Sequence, residues 1–462
     1  MKLNVECKIK PVLDPGFVPA VKWNEAFKNL ADKNNGPTLL IGLKRTDGTF
    51  SRFDTIILPD KKEFIELNTK YVERLIKFLL WQKGAYKVYL SDKTMTKVIS
   101  EIYSESGKRA WDNDFMGDKV YGKKFEVIFC EASSFPEEKE STSPLGRHLN
   151  GCRIGFDLGG SDRKCAAVID GKVVYSEEIK WNPYFEKDPS YHYNGINESL
   201  KSAAKHLPRV DAIGGSAAGV YVNNEVRIAS LFRGLTREQF DKKIKRMFFD
   251  LKKEWNDIPF EVVNDGEVTA LAASMSFNDN AILGLSMGTS FAAGYVTPEG
   301  NITPWLNELA FAPIDYRENG PIDEWSQDEG CAVQFFSQQA VARLAPLAGI
   351  NFDNSIPLPE RLEKIQELMA DNDERAKKIY ETIGTCFGYA IAFYADFYEI
   401  RNLLILGRVT SGKGGEIIIK KAEEVLKVEY PELAEKVTIR TPDEKDKRHG
   451  QAIAAASLAA TK

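Results

Sequence analysis

Ile154-Gly-Phe-Asp157-Leu-Gly159-Gly160-Ser161-Asp-Arg-Lys164 is the most informative stretch of this 462-residue chain. An apolar strand delivers a carboxylate, two glycines and a hydroxyl to a hairpin. Glycines let the backbone approach a phosphate, and the exposed N–H groups of such turns bind its oxygens. We expect Gly159, Gly160, Ser161 and Lys164 to bind phosphate and Asp157 to hold Mg²⁺ through water. An ordinary Gly-Gly hairpin is the alternative.

A second stretch, Ser286-Met-Gly288-Thr289-Ser290-Phe-Ala-Ala-Gly294, repeats this design about 130 residues later. A strand again runs into a turn of glycine and hydroxyl residues, and a new strand follows. Two such turns facing each other would grip a triphosphate from both sides. The repetition also suggests a duplicated chain in which each half has a strand, a Gly-rich turn and then helices.

Two further motifs follow predicted strands. Asn264 and Asp265 stand between a strand and a helix, where either residue could simply cap the helix. In the functional interpretation, Asp265 is a general base for a sugar hydroxyl and Asn264 hydrogen-bonds a neighbouring hydroxyl. Gly407 follows the strand Leu403–Leu406 and would let an adenine ring lie against its end, with Arg408 facing either the nucleotide or solvent. A strand–loop–helix unit without a ligand is the alternative for this last motif.

Composition excludes several classes of function. The chain has 62 Lys and Arg against 67 Asp and Glu, a net charge of -5, which argues against a general nucleic-acid binder. Its apolar runs are too short to span a bilayer, so no membrane association is expected. Six cysteines without C-x-x-C spacing are typical of reduced thiols, which predicts a cytoplasmic protein.

The pattern along the chain predicts an α/β protein of several domains. Residues 1–135 look like a small α/β domain of unknown role, with a hairpin around Thr46-Asp47-Gly48. A charged, Pro-bounded segment predicts a linker over 136–150. The two halves are then assigned to 151–290 and 291–462, and apolar spacing predicts helices over 236–255 and 332–345.

These motifs, in this order and spacing over residues 152–460, resemble the ROK family (repressor, open reading frame, kinase) of sugar kinases. The resemblance implies an actin-like ATPase fold, in which two ribonuclease-H-like halves enclose a central cleft where ATP and sugar meet. It also implies that Asp265 is the catalytic base, that the segment with Gly215 and Gly219 lies along the sugar, and that a homodimer is plausible.

The chain departs from the family pattern in its zinc and sugar motifs. The family's Gly-Glu-x-Gly-His segment matches Asn307-Glu308-Leu-Ala310-Phe311, which keeps the sugar-binding glutamate and replaces the zinc-binding histidine by Phe311. Of the zinc-binding cysteines only Cys331 remains, so no structural zinc is expected. The second sugar-binding glutamate aligns with Val333, and either Asp323 or Glu324 would have to replace it, unless the ligand is not an ordinary hexose.

The leading hypothesis is an ATP- and Mg²⁺-dependent kinase of a sugar or sugar-like hydroxyl compound. The alternative is a sugar-binding sensor without catalysis, since part of the family are repressors. Those repressors carry an N-terminal winged helix-turn-helix, whereas residues 1–150 show no such pair of helices. An ATP-driven chaperone or filament protein is a third reading, which the Asn-Asp pair and Glu308 disfavour. The sequence does not identify the sugar.

Overall fold

The computed structural model describes residues 3–140, 145–441 and 450–461, and within these ranges the chain is a mixed α/β protein. Residues 141–144 of the predicted linker lie outside the described residues. The strands are β1 (Thr38–Lys44), β2 (Phe50–Ile56), β3 (Lys87–Leu90), β4 (Glu126–Phe129), β5 (Cys152–Leu158), β6 (Asp162–Ile169), β7 (Lys172–Lys180), β8 (Ala212–Ala217), β9 (Val220–Val222), β10 (Glu225–Ile228), β11 (Phe260–Asn264), β12 (Ile282–Met287), β13 (Phe291–Val296), β14 (Asn402–Leu406) and β15 (Thr438–Arg440).

Helices alternate with these strands and dominate the last third of the chain. They are α1 (Ala20–Lys33), α2 (Ile65–Lys83), α3 (Lys93–Ile102), α4 (Ala110–Asp114), α5 (Pro189–Ala204), α6 (Arg237–Gln239), α7 (Met247–Glu254), α8 (Asp265–Phe277), α9 (Gln338–Leu344), α10 (Leu358–Ala370), α11 (Glu374–Ala395), α12 (Gly412–Glu429), α13 (Pro431–Lys436) and α14 (Gly450–Ala456). Among the described helices, none combines the length and the apolar character that a membrane span requires.

A five-stranded sheet carries the first glycine motif. Its strand order is β11-β8-β5-β6-β7, in which β5, β6 and β7 form an antiparallel meander and β8 and β11 run parallel to β5. Helix α14 packs against this sheet where Gly155 and Gly214 stand. A Cβ on either glycine would lie about 2 Å from a carbonyl oxygen of α14. The glycines are therefore needed for the close approach of helix and sheet.

Three smaller sheets complete the fold. A four-stranded sheet of order β13-β12-β14-β15 carries the second glycine motif at the end of β12 and Gly407 at the end of β14. Another four-stranded sheet, β2-β1-β3-β4, lies in the N-terminal part, where β1 and β2 form the predicted hairpin. Strands β9 and β10 form a separate antiparallel pair.

The chain divides into two compact units that do not follow the sequence ranges of the predicted domains. The first unit comprises Met1–Ser141, Leu285–Ala293 and Trp305–Arg440. The second comprises Thr142–Gly284, Gly294–Pro304 and Thr441–Lys462. The N-terminal segment thus shares a unit with much of the last third of the chain. The four predicted domain ranges stay a prediction.

One predicted helix is interrupted and another begins later than predicted. The segment 236–255 is divided into α6, a π-helical stretch Phe240–Ile244 and α7, because extra residues in a turn interrupt the 3.6-residue period. The segment 332–345 begins as a 3-10 turn, and the α-helix begins only at Gln338. The Ser337 side chain caps that helix by accepting a hydrogen bond from the Gln339 N–H, which fixes its start.

Candidate active site

The ends of β5, β8 and β11 bring the first and third motifs to one edge of the five-stranded sheet. In the register of this sheet, Leu158 and Asn264 both pair with Ala217, from opposite sides. Since neighbouring strands lie about 4.8 Å apart, Asp157 and Asp265 emerge at this edge roughly two strand spacings from each other. The register thus brings these two carboxylates to the same edge of the sheet.

The carboxyl group of Asp265 has the most perturbed environment at this edge. Burial is the largest cause and the negative charge of Asp157 the second, and together they raise its pKa to about 6. The Gly266 N–H donates to its Oδ1 at 3.0 Å, which favours the charged form. The result is a carboxylate that holds a proton more strongly than an ordinary aspartate and is still ionised at neutral pH.

Asp157 is held at the end of β5 by a neighbour from β8. The Ser216 hydroxyl donates to its Oδ1 at 2.7 Å, and Lys164 pairs with Asp157 in the register of β5 and β6. Burial raises the pKa of Asp157, while the Ser216 hydrogen bond and the charge of Lys164 lower it. Within the described ranges nothing donates to its Oδ2, so this oxygen is available to a ligand.

The first glycine turn is a tight hairpin closed by the Gly159 N–H, which donates to the carbonyl of Asp162 at 2.9 Å. The Trp181 indole donates to the Gly159 carbonyl at 2.8 Å and fixes the turn from one side. Ser161 is exposed and its hydroxyl donates to the Asp162 carboxylate. A Cβ on Gly160 would lie 2.0 Å from the Tyr184 hydroxyl, so the glycine is required by the tyrosine that packs against it.

Asn264 serves as the cap of α8, as the alternative interpretation requires. Its Oδ1 accepts a hydrogen bond from the Gly266 N–H at 2.7 Å, and its Nδ2 donates to the Gly219 carbonyl at 2.7 Å. The second bond ties the start of α8 to the Gly215–Gly219 segment. Gly215 itself is buried in the sheet, where a Cβ would collide with the ring of Phe156.

The start of α8 also contacts the last glycine of the second motif. A Cβ on Gly294 in β13 would lie 2.1 Å from the carbonyl oxygen of Gly266 and 2.7 Å from the Glu267 nitrogen. The Tyr295 N–H donates to the Glu267 carboxylate at 3.3 Å. Strand β13 therefore supports the turn of helix that carries Asp265.

The second glycine turn, in the other compact unit, lies next to Gly407. Thr289 and Ser290 are exposed, and the Gly288 N–H closes the turn on the Ser290 carbonyl at 2.9 Å. Gly407 has a φ of 110°, and a Cβ there would lie 2.4 Å from the carbonyl oxygen of Met287, the residue before the turn. Both features require glycine, and they place the end of β14 against the end of β12.

The Arg408 side chain forms an ion pair with Glu363. It is 57% exposed and its Nη2 lies 2.6 Å from the Glu363 carboxylate on α10. The Gln366 amide donates to the Arg408 carbonyl at 2.7 Å. The sequence left open whether Arg408 faces nucleotide or solvent, and this arrangement makes it a solvated side chain tied to α10.

Three of the residues proposed for sugar binding, Glu308, Asp323 and Glu324, lie in the same unit as the second turn. Glu308 is partly buried and its N–H donates to the Trp81 carbonyl at 3.0 Å. Asp323 is buried, and its Oδ2 accepts from both the N–H and the hydroxyl of Ser326 at 2.7 Å. Glu324 is exposed. Of the two proposed replacements for the lost glutamate, Asp323 is thus already engaged in a turn, and Glu324 is accessible.

The residues at this edge suit Mg²⁺ bound to a phosphate. Mg²⁺ is commonly held by one or two carboxylates together with water and substrate phosphates, and Asp157 offers one such carboxylate oxygen. In the part of the chain that the structure describes, no group of three or more His, Cys, Asp or Glu side chains is arranged to hold a metal alone.

The residues at the family's zinc positions do not suit zinc. Phe311, at the histidine position, packs in an aromatic cluster with ring centroids 4.5 Å from Trp81 and 5.0 Å from Trp111. Cys331 is buried beside Ser326 and Asp328, and among the described residues no group of three or more His, Cys, Asp or Glu side chains forms a metal site around it.

The sequence analysis did not single out two residues of this site, although one of them, Ser216, lies inside the Gly215–Gly219 segment. Ser216 orients Asp157, and Tyr184 covers the first glycine turn. The signal for Ser216 is its place in β8, since a parallel pairing of β5 with β8 puts it directly opposite Asp157. No pattern in the sequence connects Tyr184 to a turn more than twenty residues before it.

Comparison with known proteins gives structures but no sequence relatives. No family model matches the chain, and no curated protein matches it either. A ROK hexokinase from Thermus thermophilus is similar at 16% identity and a TM-score of 0.53, covering 67% of this chain and 97% of its own. A ROK family transcriptional regulator, a homologue of E. coli Mlc, has 19% identity and a TM-score of 0.52, covering 67% and 79%.

A third similar structure is Lmo2764 from Listeria monocytogenes, described as a putative N-acetylmannosamine kinase. It has 16% identity and a TM-score of 0.50, and the match covers 66% of this chain and 97% of that one. Identities this low establish shared architecture and leave activity open. The expected α/β fold is confirmed: over about two thirds of its length, this chain shares the fold of ROK family structures.

Proposed function

We propose that this chain is a ROK family kinase that transfers the γ-phosphoryl group of ATP to a hydroxyl of a sugar or sugar-like compound. One observation carries the proposal. At the carboxyl edge of the five-stranded sheet, the Asp265 carboxyl has a pKa of about 6 and lies within the field of Asp157. A base with this pKa is ionised at neutral pH and still has appreciable proton affinity, which general-base catalysis requires.

The acceptor hydroxyl would donate its proton to Asp265 as it attacks the γ-phosphorus. Asn264 is held by its cap and by Gly219, so any contact of Asn264 with the acceptor would come from a preorganised side chain. The backbone N–H groups of the turns at 159–161 and 288–290 would bind phosphate oxygens. Catalysis of this kind is positioning together with electrostatic stabilisation of the transferring group.

Asp157 would hold Mg²⁺ through water, with its Oδ1 fixed by Ser216 and its Oδ2 facing the ion. The bound ion would supply charge neutralisation on the phosphate oxygens. Lys164 adds a positive charge on the same side of the hairpin, since it pairs with Asp157 across β5 and β6. Gly407 would leave room for the adenine ring at the end of β14.

We also infer that the two sheets with glycine turns are related copies. If the strands of the first sheet are numbered 1 to 5 in chain order, their order across the sheet is 5-4-1-2-3. Read from its other edge, the second sheet is β15-β14-β12-β13, which corresponds to 5-4-1-2 with the third strand missing. Each sheet has its Gly-rich turn after its first strand. This supports duplicated ribonuclease-H-like halves. The substrate hydroxyl compound, the homodimer and the cytoplasmic location stay predictions.

The regulator among the similar structures supports a second candidate, a sugar sensor without catalysis. A sensor has no use for a proton acceptor, so a strongly shifted Asp265 would be incidental in it. Calorimetry with a hexose and amino-sugar panel, run with and without ATP, separates the two. Sugar binding without any phosphate transfer in the parent protein supports the sensor.

The pH profile tests the kinase directly. We expect kcat/KM to fall about tenfold per pH unit below a midpoint near pH 6, since protonated Asp265 cannot accept the hydroxyl proton. Because the pKa of Asp265 is raised, the loss of activity on acidification begins at a higher pH than it would for an ordinary aspartate. In Asp157→Asn the residual activity should have its limb at lower pH, because the like charge is gone. A profile flat down to pH 5 contradicts the assignment.

A further inference from the structure

Cationic side chains of the N-terminal segment bind the loop 323–331 through its buried residue Asp328. Asp328 receives two parallel hydrogen bonds from the Arg74 guanidinium, each 2.9 Å long. Lys77 lies 3.2 Å from the same carboxylate and Arg109 lies 2.6 Å from it. All four side chains are buried. The loop is therefore anchored by residues about 220 to 250 positions earlier in the chain.

Two further carboxylates make this a closed and balanced cluster. Glu73 pairs with Arg109 and lies 3.2 Å from Arg74, and Asp112 lies 3.1 Å from Lys77. With Asp328, three carboxylates face three cations. Burial alone would discharge Lys77, but Asp112 and Asp328 raise its pKa. Burial likewise opposes ionisation of Asp328, yet the surrounding cations hold its pKa well below the usual value.

The same helix, α2, also holds the segment with Glu308. Its last turn offers free carbonyls, and the N–H groups of Asn307 and Glu308 donate to the Gln82 and Trp81 carbonyls at 2.9 and 3.0 Å. The Phe311 ring packs on Trp81. Because Arg74, Lys77 and Trp81 follow one another at helical spacings of three and four, one face of α2 fixes both segments.

We propose that a buried ion-pair cluster takes the place of a structural metal site in this protein. The cluster consists of Glu73, Arg74, Lys77, Arg109, Asp112 and Asp328, and Trp81 lies beside it. The N-terminal segment thereby acts as the permanent support of the segments 307–311 and 323–331, and no zinc is needed to fold them. A single Zn²⁺ would tie such loops by ligand bonds. Here the bonds are ion pairs and ring contacts supplied by α2 and α4. The link to acceptor binding through Glu308 rests on the proposed function, whereas the metal-free support does not.

Metal analysis tests the proposal on the full-length protein as purified. We expect less than about 0.1 equivalent of zinc per chain by mass spectrometry and no change in Tm after incubation with a strong zinc chelator. Cys331→Ala should keep Tm within a few degrees, because a lone cysteine without further ligands builds no tetrahedral zinc site. One equivalent of zinc, or a large loss of Tm with chelator or in Cys331→Ala, overturns the proposal.

The cluster itself is tested by Asp328→Asn, which removes one charge with almost no change in volume. We expect Tm to fall by roughly 6–20 °C, because three buried cations are left facing two carboxylates. Hydrogen exchange should accelerate in 307–311 and 323–331, and less in the five-stranded sheet. The matched control is Asp118→Asn, the same substitution at an exposed residue of the same unit, which should change neither quantity.

These readings separate this proposal from the kinase proposal, because none of them needs turnover. If Asp328→Asn matches Asp118→Asn in Tm and in exchange, the cluster does not support the loops, whatever the enzyme does. If Asp328→Asn does not fold at all, the chelator and zinc measurements on the parent protein still decide between a metal and the cluster.

Discussion

Replacement of Asp265 by asparagine is expected to lower kcat about 10²–10⁴-fold, the range that general-base catalysis contributes. The amide is nearly isosteric, and its oxygen can still accept the hydrogen bond that the Gly266 N–H donates to Asp265. The helix start should therefore survive, while the proton acceptor is lost. ATP and sugar affinities should change far less than kcat, and steady-state kinetics together with calorimetry measure both quantities.

The control for this variant is Asp257→Asn, the same change at an exposed aspartate of the same unit. It should leave kcat and Tm as in the parent. If Asp265→Asn retains turnover within about threefold of this control, Asp265 is not the base. If Asp265→Asn lowers Tm and the control does not, Asp265 caps the helix, which is the alternative that the sequence leaves open.

The second large effect is expected from Gly294→Ala. The added methyl would lie 2.1 Å from the Gly266 carbonyl oxygen and 2.3 Å from its carbon, and both are backbone atoms that cannot rotate away. The first turn of α8 must then shift, and with it the Asp265 carboxylate. A displacement of about 1 Å in a reacting group can cost about 100-fold in rate, so we expect kcat to fall by that order.

Gly284→Ala provides a matched control in the neighbouring strand. There the added methyl would meet its nearest neighbour, the Ala270 Cβ, at 3.5 Å, which is an ordinary contact. This variant should keep most of the parent activity. Overpacking at residue 294 should also cost about 1–3 kcal/mol of stability, so Tm is measured for both variants. Equal activity of the two alanine variants would show that Gly294 does not position Asp265.

The local motifs predicted strand ends and glycine turns, whereas the chemical roles of the site residues stay predictions. A strand that ends in Asp157 and another that ends in Asn264 are recognisable because each apolar run stops at a polar residue beside glycine. The parallel register of β5, β8 and β11 brings the two strand ends to one edge of the sheet. What the motifs do not contain is the environment, since the raised pKa of Asp265 depends on burial and on Asp157 in three dimensions.

The role of the N-terminal segment was not predictable in this way. Arg74 and Lys77 are charged residues of α2, and residues of this kind are mostly exposed on helices. They are buried because Asp328, more than 250 residues later, provides their counter-charge. Pairing over such a distance leaves no local periodicity. A charged residue at helical spacing with a buried aromatic, as with Lys77 and Trp81, is the one hint that the sequence offers.

Detection of the phosphorylated product tests the kinase proposal most directly. The parent protein is incubated with Mg²⁺-ATP and each member of a hexose, amino-sugar and polyol panel, and products are identified by ³¹P NMR and mass spectrometry, with Asp265→Asn in parallel. We predict a sugar phosphate monoester from at least one acceptor, formed with one ADP per product and nearly absent in the variant. Release of inorganic phosphate alone, or sugar binding with no phosphate transfer to any acceptor, would contradict a sugar kinase.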